Sequence, residues 1–246
     1  MKQGIFTITE NMPLTHNIMR MRLSGDTSAC VKPGQFINIK IEGLFLRRPI
    51  SVCEVSGDTI TIIYKVVGKG TEAMRNMPIG TKLDVLTGLG NGYDISKAGD
   101  RPLLIGAGVG VPPLYQLAKE LTKAGKSVTV LLGFHSKEDV FYADEFTSLG
   151  ANTIVVTSDG SVGKKGRVTD HMDLDYTHVF VCGPEAMLKS VYDKSVTSGQ
   201  FSFEERMGCG FGACMGCSCK TVTGYKRICK DGPVLRKEEI LWQTQK

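Results

Sequence analysis

Leu103-Leu104-Ile105-Gly106-Ala107-Gly108-Val109-Gly110-Val111-Pro112-Pro113 is the stretch on which the fold turns. Its first three residues are apolar, follow Arg101-Pro102, and read as a short buried strand. Three glycines at alternate positions come next. Pro113 suits the first turn of a helix, where no backbone donor is needed. Leu114, Leu117, Ala118 and Leu121 then recur at i, i+3, i+4 and i+7, the spacing of one helical face. Gly125 suits the helix stop. Strand, glycine turn and helix in this order form the unit of a dinucleotide-binding fold, whose first turn holds pyrophosphate at a helix N-terminus. The spacing is G-x-G-x-G-x-x-P rather than G-x-G-x-x-G, so the string gains its meaning from its surroundings.

Downstream the unit repeats. Val128–Leu132, Thr153–Thr157 and Val179–Cys182 read as strands. Ala143–Leu149 reads as a short helix, and Gly183-Pro184 opens another with Met187, Leu188 and Val191 inward. Strands alternating with helices predict a doubly wound parallel sheet. Ligands of such sheets lie outside the carboxyl ends of the strands, so Cys182-Gly183-Pro184 should face the same crevice as Gly106, Gly108 and Gly110. Read alone, Cys182 is a small buried hydrophobe. Asp159, in Ser158-Asp159-Gly160-Ser161, suits a ribose hydroxyl and a turn cap equally. A carboxylate there disfavours a 2′-phosphate, which favours NAD over NADP.

Upstream of residue 98 the pattern is different. Gly4–Thr9, Ile18–Leu23, Gln35–Ile41 and Thr59–Val66 are short, rich in Ile, Val, Thr, Phe or Met, and separated by turn residues. They predict a small antiparallel barrel. Arg47-Arg48-Pro49-Ile50-Ser51 begins a further strand. Arg48 offers a planar fork of donors to a phosphate, and Ser51 a hydroxyl. Without context the string reads as a strand edge with two solvated arginines.

The C-terminal stretch fits neither pattern. Of eight cysteines in 246 residues, five lie between positions 209 and 229. Cys209, Cys214 and Cys217 have the C-x4-C-x2-C spacing of plant-type [2Fe–2S] sites. Gly210, Gly212 and Gly216 let backbone N–H groups approach the negative sulfurs. Two irons need a fourth thiolate, and Cys219 and Cys229 compete for the place. A hairpin through Thr223-Gly224-Tyr225 would bring Cys229 back and favours it. Structural zinc also takes four cysteines, but usually from two C-x2–4-C knuckles.

Composition bounds the rest. The chain is long enough for one large or two small domains. A net charge of +5 without a Lys/Arg block gives no support to nucleic-acid binding. No stretch reaches the ~18 apolar residues of a spanning helix. Met1-Lys2-Gln3-Gly4-Ile5-Phe6-Thr7 has no signal-length apolar run, so a cytoplasmic protein without a membrane partner is expected. A reducing compartment argues against structural disulfides.

A barrel with R-P-I-S, then G-x-G-x-G-x-x-P, then C-G-P, is similar to the ferredoxin-NADP reductase superfamily. With the cysteine string and Cys229-Lys230-Asp231-Gly232-Pro233-Val234 appended, the chain resembles the electron-transfer subunits of dihydroorotate dehydrogenase B. Pro33-Gly34-Gln35-Phe36, Gly68-Lys69-Gly70-Thr71, Leu89-Gly90-Asn91-Gly92 and Gly133-Phe134-His135-Ser136-Lys137-Glu138-Asp139 extend the likeness over nearly the whole chain. Thr87-Gly88 stands where Gly-Pro would be expected.

The resemblance implies three units: an FAD-binding barrel over 1–97, an NAD-binding α/β domain over 98–199, and a [2Fe–2S] module over 200–246. FAD would be held by Arg48, Pro49, Ile50, Ser51, Ile63, Tyr64, Lys65, Gly70 and Thr71. NAD would be held by Gly106, Gly108, Gly110, Cys182, Gly183 and Pro184. Cys209, Cys214, Cys217 and Cys229 would ligate the cluster and leave Cys219 free. No side chain is given a catalytic role. The implied partner is a catalytic subunit carrying FMN, two of each in a heterotetramer, in which dihydroorotate becomes orotate during pyrimidine biosynthesis. Electrons would pass from that FMN through the cluster and FAD to NAD+.

Rival expectations are an FAD/[2Fe–2S] subunit of a ferredoxin-NADP oxidoreductase or hydrogenase complex, and, in another class, a zinc-binding adaptor. Some of the former carry aspartate in place of the first cluster cysteine, so Cys209 favours the dihydroorotate system. Oxygenase reductases usually carry a whole ferredoxin domain, too large for the stretch beyond residue 199.

Overall fold

A computed structural model describes residues 1–242. Strands β1 (Lys2–Pro13), β2 (Ile18–Ser24), β3 (Phe36–Ile39), β4 (Arg48–Ser56) and β5 (Thr59–Lys65) are followed by helix α1 (Lys69–Arg75) and strand β6 (Lys82–Leu89). The six strands close into an antiparallel barrel in the order β1-β2-β5-β4-β3-β6. Alternation decides which side chains fill it: Phe6 and Ile8, Met21 and Leu23, Ile37 and Ile39, Ile60 and Ile62 point inward. Two elements go beyond the sequence expectation, α1 and the closing strand β6. In β6, Leu83 and Val85 alternate with Lys82 and Asp84, a half-buried pattern too short to stand out between turn residues.

The second unit contains β7 (Pro102–Ala107), α2 (Tyr115–Lys123), β8 (Thr129–Phe134), α3 (Ala143–Ser148), β9 (Asn152–Thr157), β10 (Lys164–Lys165), β11 (His178–Cys182), α4 (Glu185–Lys194) and β12 (Gly199–Ser202). A tight turn over 108–114 links β7 to α2. Leu114, Leu117, Ala118 and Leu121 are all buried, as their spacing predicts. The apolar runs Leu103-Leu104-Ile105, Val130-Leu131-Leu132 and Val179-Phe180-Val181 are covered on both faces, as strands of a parallel sheet must be.

A hairpin follows, β13 (Ser218–Thr221) with β14 (Gly224–Arg227), and then β15 (Val234–Arg236). Its turn is Val222-Thr223, one residue ahead of the expected centre. The sheet order is β10-β9-β8-β7-β11-β12-β15. The direction of winding reverses between β7 and β11, and that switch point is where doubly wound sheets bind ligands. β15 runs antiparallel to β12, so the cysteine-bearing segment is stitched into the nucleotide sheet.

Two apolar clusters cross the units. Cys53 and Ile63 of the barrel pack with Leu104, Val111 and Leu114. Phe36, Leu86 and Leu89 of the barrel pack with Ile105, Val181, Cys217, Ile228 and Cys229. Asn91, in the string Leu89-Gly90-Asn91-Gly92, clamps the third unit to the first. Its Nδ2 donates to the Val234 carbonyl at 2.7 Å, and its Oδ1 accepts from the Val234 N–H at 3.1 Å.

Candidate cofactor sites

The crevice at the switch point is made of backbone. In β7 and β11, Gly106 and Cys182 are register partners. Gly110 lies directly against the next turn: a Cβ there would meet the Cys182 carbonyl and come within 2.6 Å of Gly183 Cα. Only glycine permits this approach, which brings the Gly106–Gly110 loop and Cys182-Gly183-Pro184 together as the strand pattern predicts. Cys182 is half-buried and packs beside Tyr93, whose hydroxyl donates to the Val181 carbonyl at 3.1 Å. Burial pushes the Cys182 thiol up to about 12. At that value the thiol is protonated at neutral pH.

At Asp159 the turn cap wins. Oδ1 accepts from the Ser161 N–H at 2.9 Å and from the Ser161 hydroxyl at 2.7 Å, and these bonds hold the carboxyl below its ordinary value.

On the barrel, the two adjacent arginines divide. Arg47 is committed to Asp84, with an N–O distance of 2.8 Å. Arg48 makes no ion pair among the described residues and donates only to the Leu46 carbonyl. Its guanidinium lies across Gly70, where a Cβ would meet Cζ at 2.7 Å. Residues 48 and 70, distant in sequence, thus share one corner, where an unpaired cation lies beside a backbone turn that is exposed at Gly68 and Lys69 and buried at Gly70 and Thr71. Thr71 shapes that turn. Its Oγ1 accepts from the N–H groups of Val67 and Gly68 at 2.9 and 3.2 Å. Pro49 and Ser51 stand opposite Asn38 and Phe36, on the outer face of the barrel.

Three barrel positions sit differently from a simple cofactor-lining role. Tyr64 points into the barrel core, with its hydroxyl 3.4 Å from Asn11 Oδ1, so only its backbone borders the outer face. Alternation explains this, because Ile60, Ile62 and Tyr64 share the inward face. Ile63 is buried between barrel and α/β unit. Lys65, at the end of β5, is exposed.

The cysteine loop is built around its sulfurs. Cys209 Sγ accepts from the N–H groups of Phe211, Ala213 and Cys214 at 3.5, 3.2 and 3.4 Å. Burial raises this thiol, but those bonds and one from the Cys214 thiol bring it down to about 6. Cys217 Sγ accepts from the Cys229 N–H at 3.4 Å. Burial, and then contact with the Cys217 thiol, lifts Cys229 to about 12. The four thiols therefore form two touching pairs, Cys209 with Cys214 and Cys217 with Cys229. Among the described residues no three metal-ligating side chains converge on a single-ion site. Two pairs suit two irons at two thiolates each, whereas tetrahedral zinc gathers four ligands about one point. Cys219, half-buried on β13, bonds to none of the four; its electrostatic neighbours are Glu205, Cys217 and Lys226.

Two neighbours of this loop escape motif reading. Arg227 donates to the Gly212 carbonyl at 2.9 Å and is braced by Asp231, also at 2.9 Å. Asn38 donates to the Cys209 carbonyl. Arg227 gave no signal, but Asn38 did: it is the polar residue in the apolar strand Phe36-Ile37-Asn38-Ile39.

Residues 204–241 match the iron–sulfur cluster binding domain of dihydroorotate dehydrogenase B, and residues 104–193 match the oxidoreductase NAD-binding domain. A protein of Fusobacterium nucleatum, named dihydroorotate dehydrogenase B (NAD(+)), electron transfer subunit, is 42% identical over 95% of this chain and 96% of its own. The chain belongs to this family of electron-transfer subunits. A member from Bacillus pumilus is also 42% identical, with 98% of each chain covered. Among solved structures, that of an NADH-dependent reduced ferredoxin-NADP oxidoreductase superposes with a TM-score of 0.89 at 29% identity, over 97% of this chain and 90% of that one. A ferredoxin NADP+ reductase from Neisseria gonorrhoeae shares the fold, with a TM-score of 0.68 at 18% identity, over 79% of this chain and 90% of that one.

Proposed function

We propose that this chain is the electron-transfer subunit of a dihydroorotate dehydrogenase B, linking an FMN-bearing catalytic partner to NAD+. The observation that carries the reading is the pairing of the four thiols beside a barrel corner and a nucleotide crevice, in a chain of this family. Nicotinamide exchanges two electrons as a hydride, a [2Fe–2S] cluster carries one, and FAD does both, so FAD belongs between them.

The chain's own residues supply binding and tuning. Arg48 neutralises pyrophosphate, and the Gly68–Thr71 turn offers backbone donors beside it. Pro49, Ile50 and Ser51, with the edge formed by Ile63, Tyr64 and Lys65, frame the flavin. Gly106, Gly108 and Gly110 admit the NAD pyrophosphate against the turn, and Cys182-Gly183-Pro184 closes the crevice beside the nicotinamide. Cys209, Cys214, Cys217 and Cys229 hold the cluster, and the N–H groups aimed at Cys209 Sγ stabilise negative charge on sulfur. The three units are the barrel over 1–97, the nucleotide domain over 98–199 and the cluster module over 200–246. The partner is the FMN-containing catalytic subunit, two of each forming a heterotetramer in the cytoplasm. Eight free cysteines suit a reducing compartment, and no described helix is long and apolar enough to cross a membrane.

The test is reconstitution. The purified chain should show flavin and cluster absorbance together. Mixed with an FMN-containing catalytic subunit, it should permit dihydroorotate oxidation coupled to NAD+. A colourless chain with stoichiometric zinc would sink this reading in favour of an adaptor.

A further inference from the structure

Hydride transfer between a nicotinamide and a flavin needs the reacting atoms within about 3–3.5 Å of each other. The carboxyl end of β11 and the barrel must therefore be held in a fixed relation. One side chain spans them. Tyr93 leaves the barrel after β6, at the end of the string Leu89-Gly90-Asn91-Gly92. Its N–H donates to the Pro33 carbonyl at 2.7 Å. Its ring lies flush on Gly34, where a Cβ would come within 2.6 Å of Cδ2. The strap is anchored earlier as well, because Gln35 Nε2 donates to the Gly90 carbonyl at 3.1 Å. From there Tyr93 reaches β11. Its ring stands edge-on to Phe180, with centroids 5.7 Å apart, and its hydroxyl donates to the Val181 carbonyl at 3.1 Å. The next residue is Cys182, the first of the turn that closes the crevice. Tyr93 is 2% exposed, and burial raises the phenol well above its ordinary value, so it stays a donor at neutral pH. Among the described residues, no other side chain of 1–97 hydrogen-bonds to β11.

We propose that Tyr93 is a positioning residue for hydride transfer: its hydroxyl holds the carboxyl end of β11, and with it the Cys182-Gly183-Pro184 turn, at a fixed place relative to the barrel. This rests on the assignment of NAD to the crevice and of FAD to the barrel. It adds the contact that sets their alignment. The hydroxyl acts through the Val181 carbonyl, so its loss alters how bound NADH faces the flavin more than how tightly NADH binds. Phenylalanine at 93 keeps the Gly34 and Phe180 contacts and removes the hydroxyl alone. Gln200 supplies the contrast. Its Oε1 accepts from the Asp94 N–H at 2.8 Å and its Nε2 donates to the Asp94 carbonyl at 2.9 Å. It thus ties the next residue of the same strap to β12, beside His178 at the far end of β11.

The experiment uses the full chain holding FAD and cluster, mixed anaerobically with NADH in a stopped-flow spectrophotometer. Flavin reduction gives a limiting rate and an apparent Kd for NADH. The long-wavelength charge-transfer band reports how the nicotinamide stacks on the flavin. Tyr93→Phe should keep FAD and cluster and bind NADH within about twofold of wild type. Its flavin should be reduced about tenfold more slowly, with a weakened charge-transfer band. Gln200→Leu should lower Tm yet leave the rate and the band at wild-type values. A Tyr93→Phe chain with the wild-type rate or band, one whose defect is confined to NADH affinity, or one that loses its fold or a cofactor overturns the proposal. So does an equal slowing in Gln200→Leu, which would make general loosening of the strap the cause. Should Gln200→Leu fail to fold, Tyr93→Phe decides alone. A wild-type chain that holds no FAD, or whose flavin NADH does not reduce, instead overturns the functional assignment.

Discussion

In the function proposed above, the cysteine loop and the nucleotide crevice solve the same problem, holding an anionic cofactor, by opposite means. The loop gathers side chains close in sequence. Three of its four thiols come from nine consecutive residues, and the fourth returns on one hairpin. The crevice uses almost no side chains. It exists because Gly110, after β7, touches the Cys182-Gly183 backbone after β11, more than seventy residues later. One site is specified by what its residues are, the other by what they lack. The loop should therefore fail completely when one ligand changes, and the crevice by degrees.

The sharpest break is Cys229→Ser. It removes one thiolate from the Cys217 pair, and a cluster needing four ligands should be lost, with its absorbance and paramagnetic signal gone. Cys219→Ser should retain both. A cluster that survives the first change and not the second would reverse the ligand assignment. Arg48→Ala comes next. It removes a charge-assisted phosphate contact of about 1.5–3 kcal/mol, so FAD affinity should fall about 10- to 100-fold, as measured by fluorescence titration. Cluster absorbance should persist. Gly110→Ala tests the crevice. Overpacking of about 1–3 kcal/mol should raise the KM for NADH at least about fivefold while FAD and cluster stay bound. An unchanged KM would mean that the Gly110–Cys182 contact does not shape the NAD site.

The same contrast decides what could be read before the structure. The C-x4-C-x2-C string is local, so its chemistry is legible from spacing. The strand–glycine–helix unit is legible because a period of 3.6 follows an apolar strand. What stayed hidden was pairing across long separations. Strand β6 closes the barrel only through partners in β1 and β3. β15 looks like a tail until it pairs with β12. Tyr64 shows the limit within a strand whose position is legible: the family resemblance implies the residue, but only the barrel register shows it pointing inward. The R-P-I-S string singles out Arg48, and the structure adds that its neighbour Arg47 is committed to Asp84.

Glu239 carries the smallest expected effect and tests how independent the cysteine loop is of its frame. Its carboxylate accepts from Lys226 on the hairpin at 2.9 Å and from Arg236 on β15 at 2.8 Å. It thus ties the hairpin that returns Cys229 to the nucleotide sheet. Burial alone would raise this carboxyl, but the Arg236 and Lys226 bonds hold it at about 2. A depressed acid stabilises the fold only while ionised. The contribution is complete above the ordinary value of 4.5 and is lost as pH falls through about 2. Glu239→Gln should cost about 1 kcal/mol, lowering Tm by about 2–4 °C at neutral pH. That gap should narrow on acidification towards pH 2, and calorimetry across the range measures it. If cluster content is unchanged in Glu239→Gln while Tm falls, the loop holds its irons by its own ligands and borrows only stability from the sheet. If the cluster is lost as well, the locality of the cysteine site is apparent only, and its geometry depends on the same long-range pairing that builds the crevice.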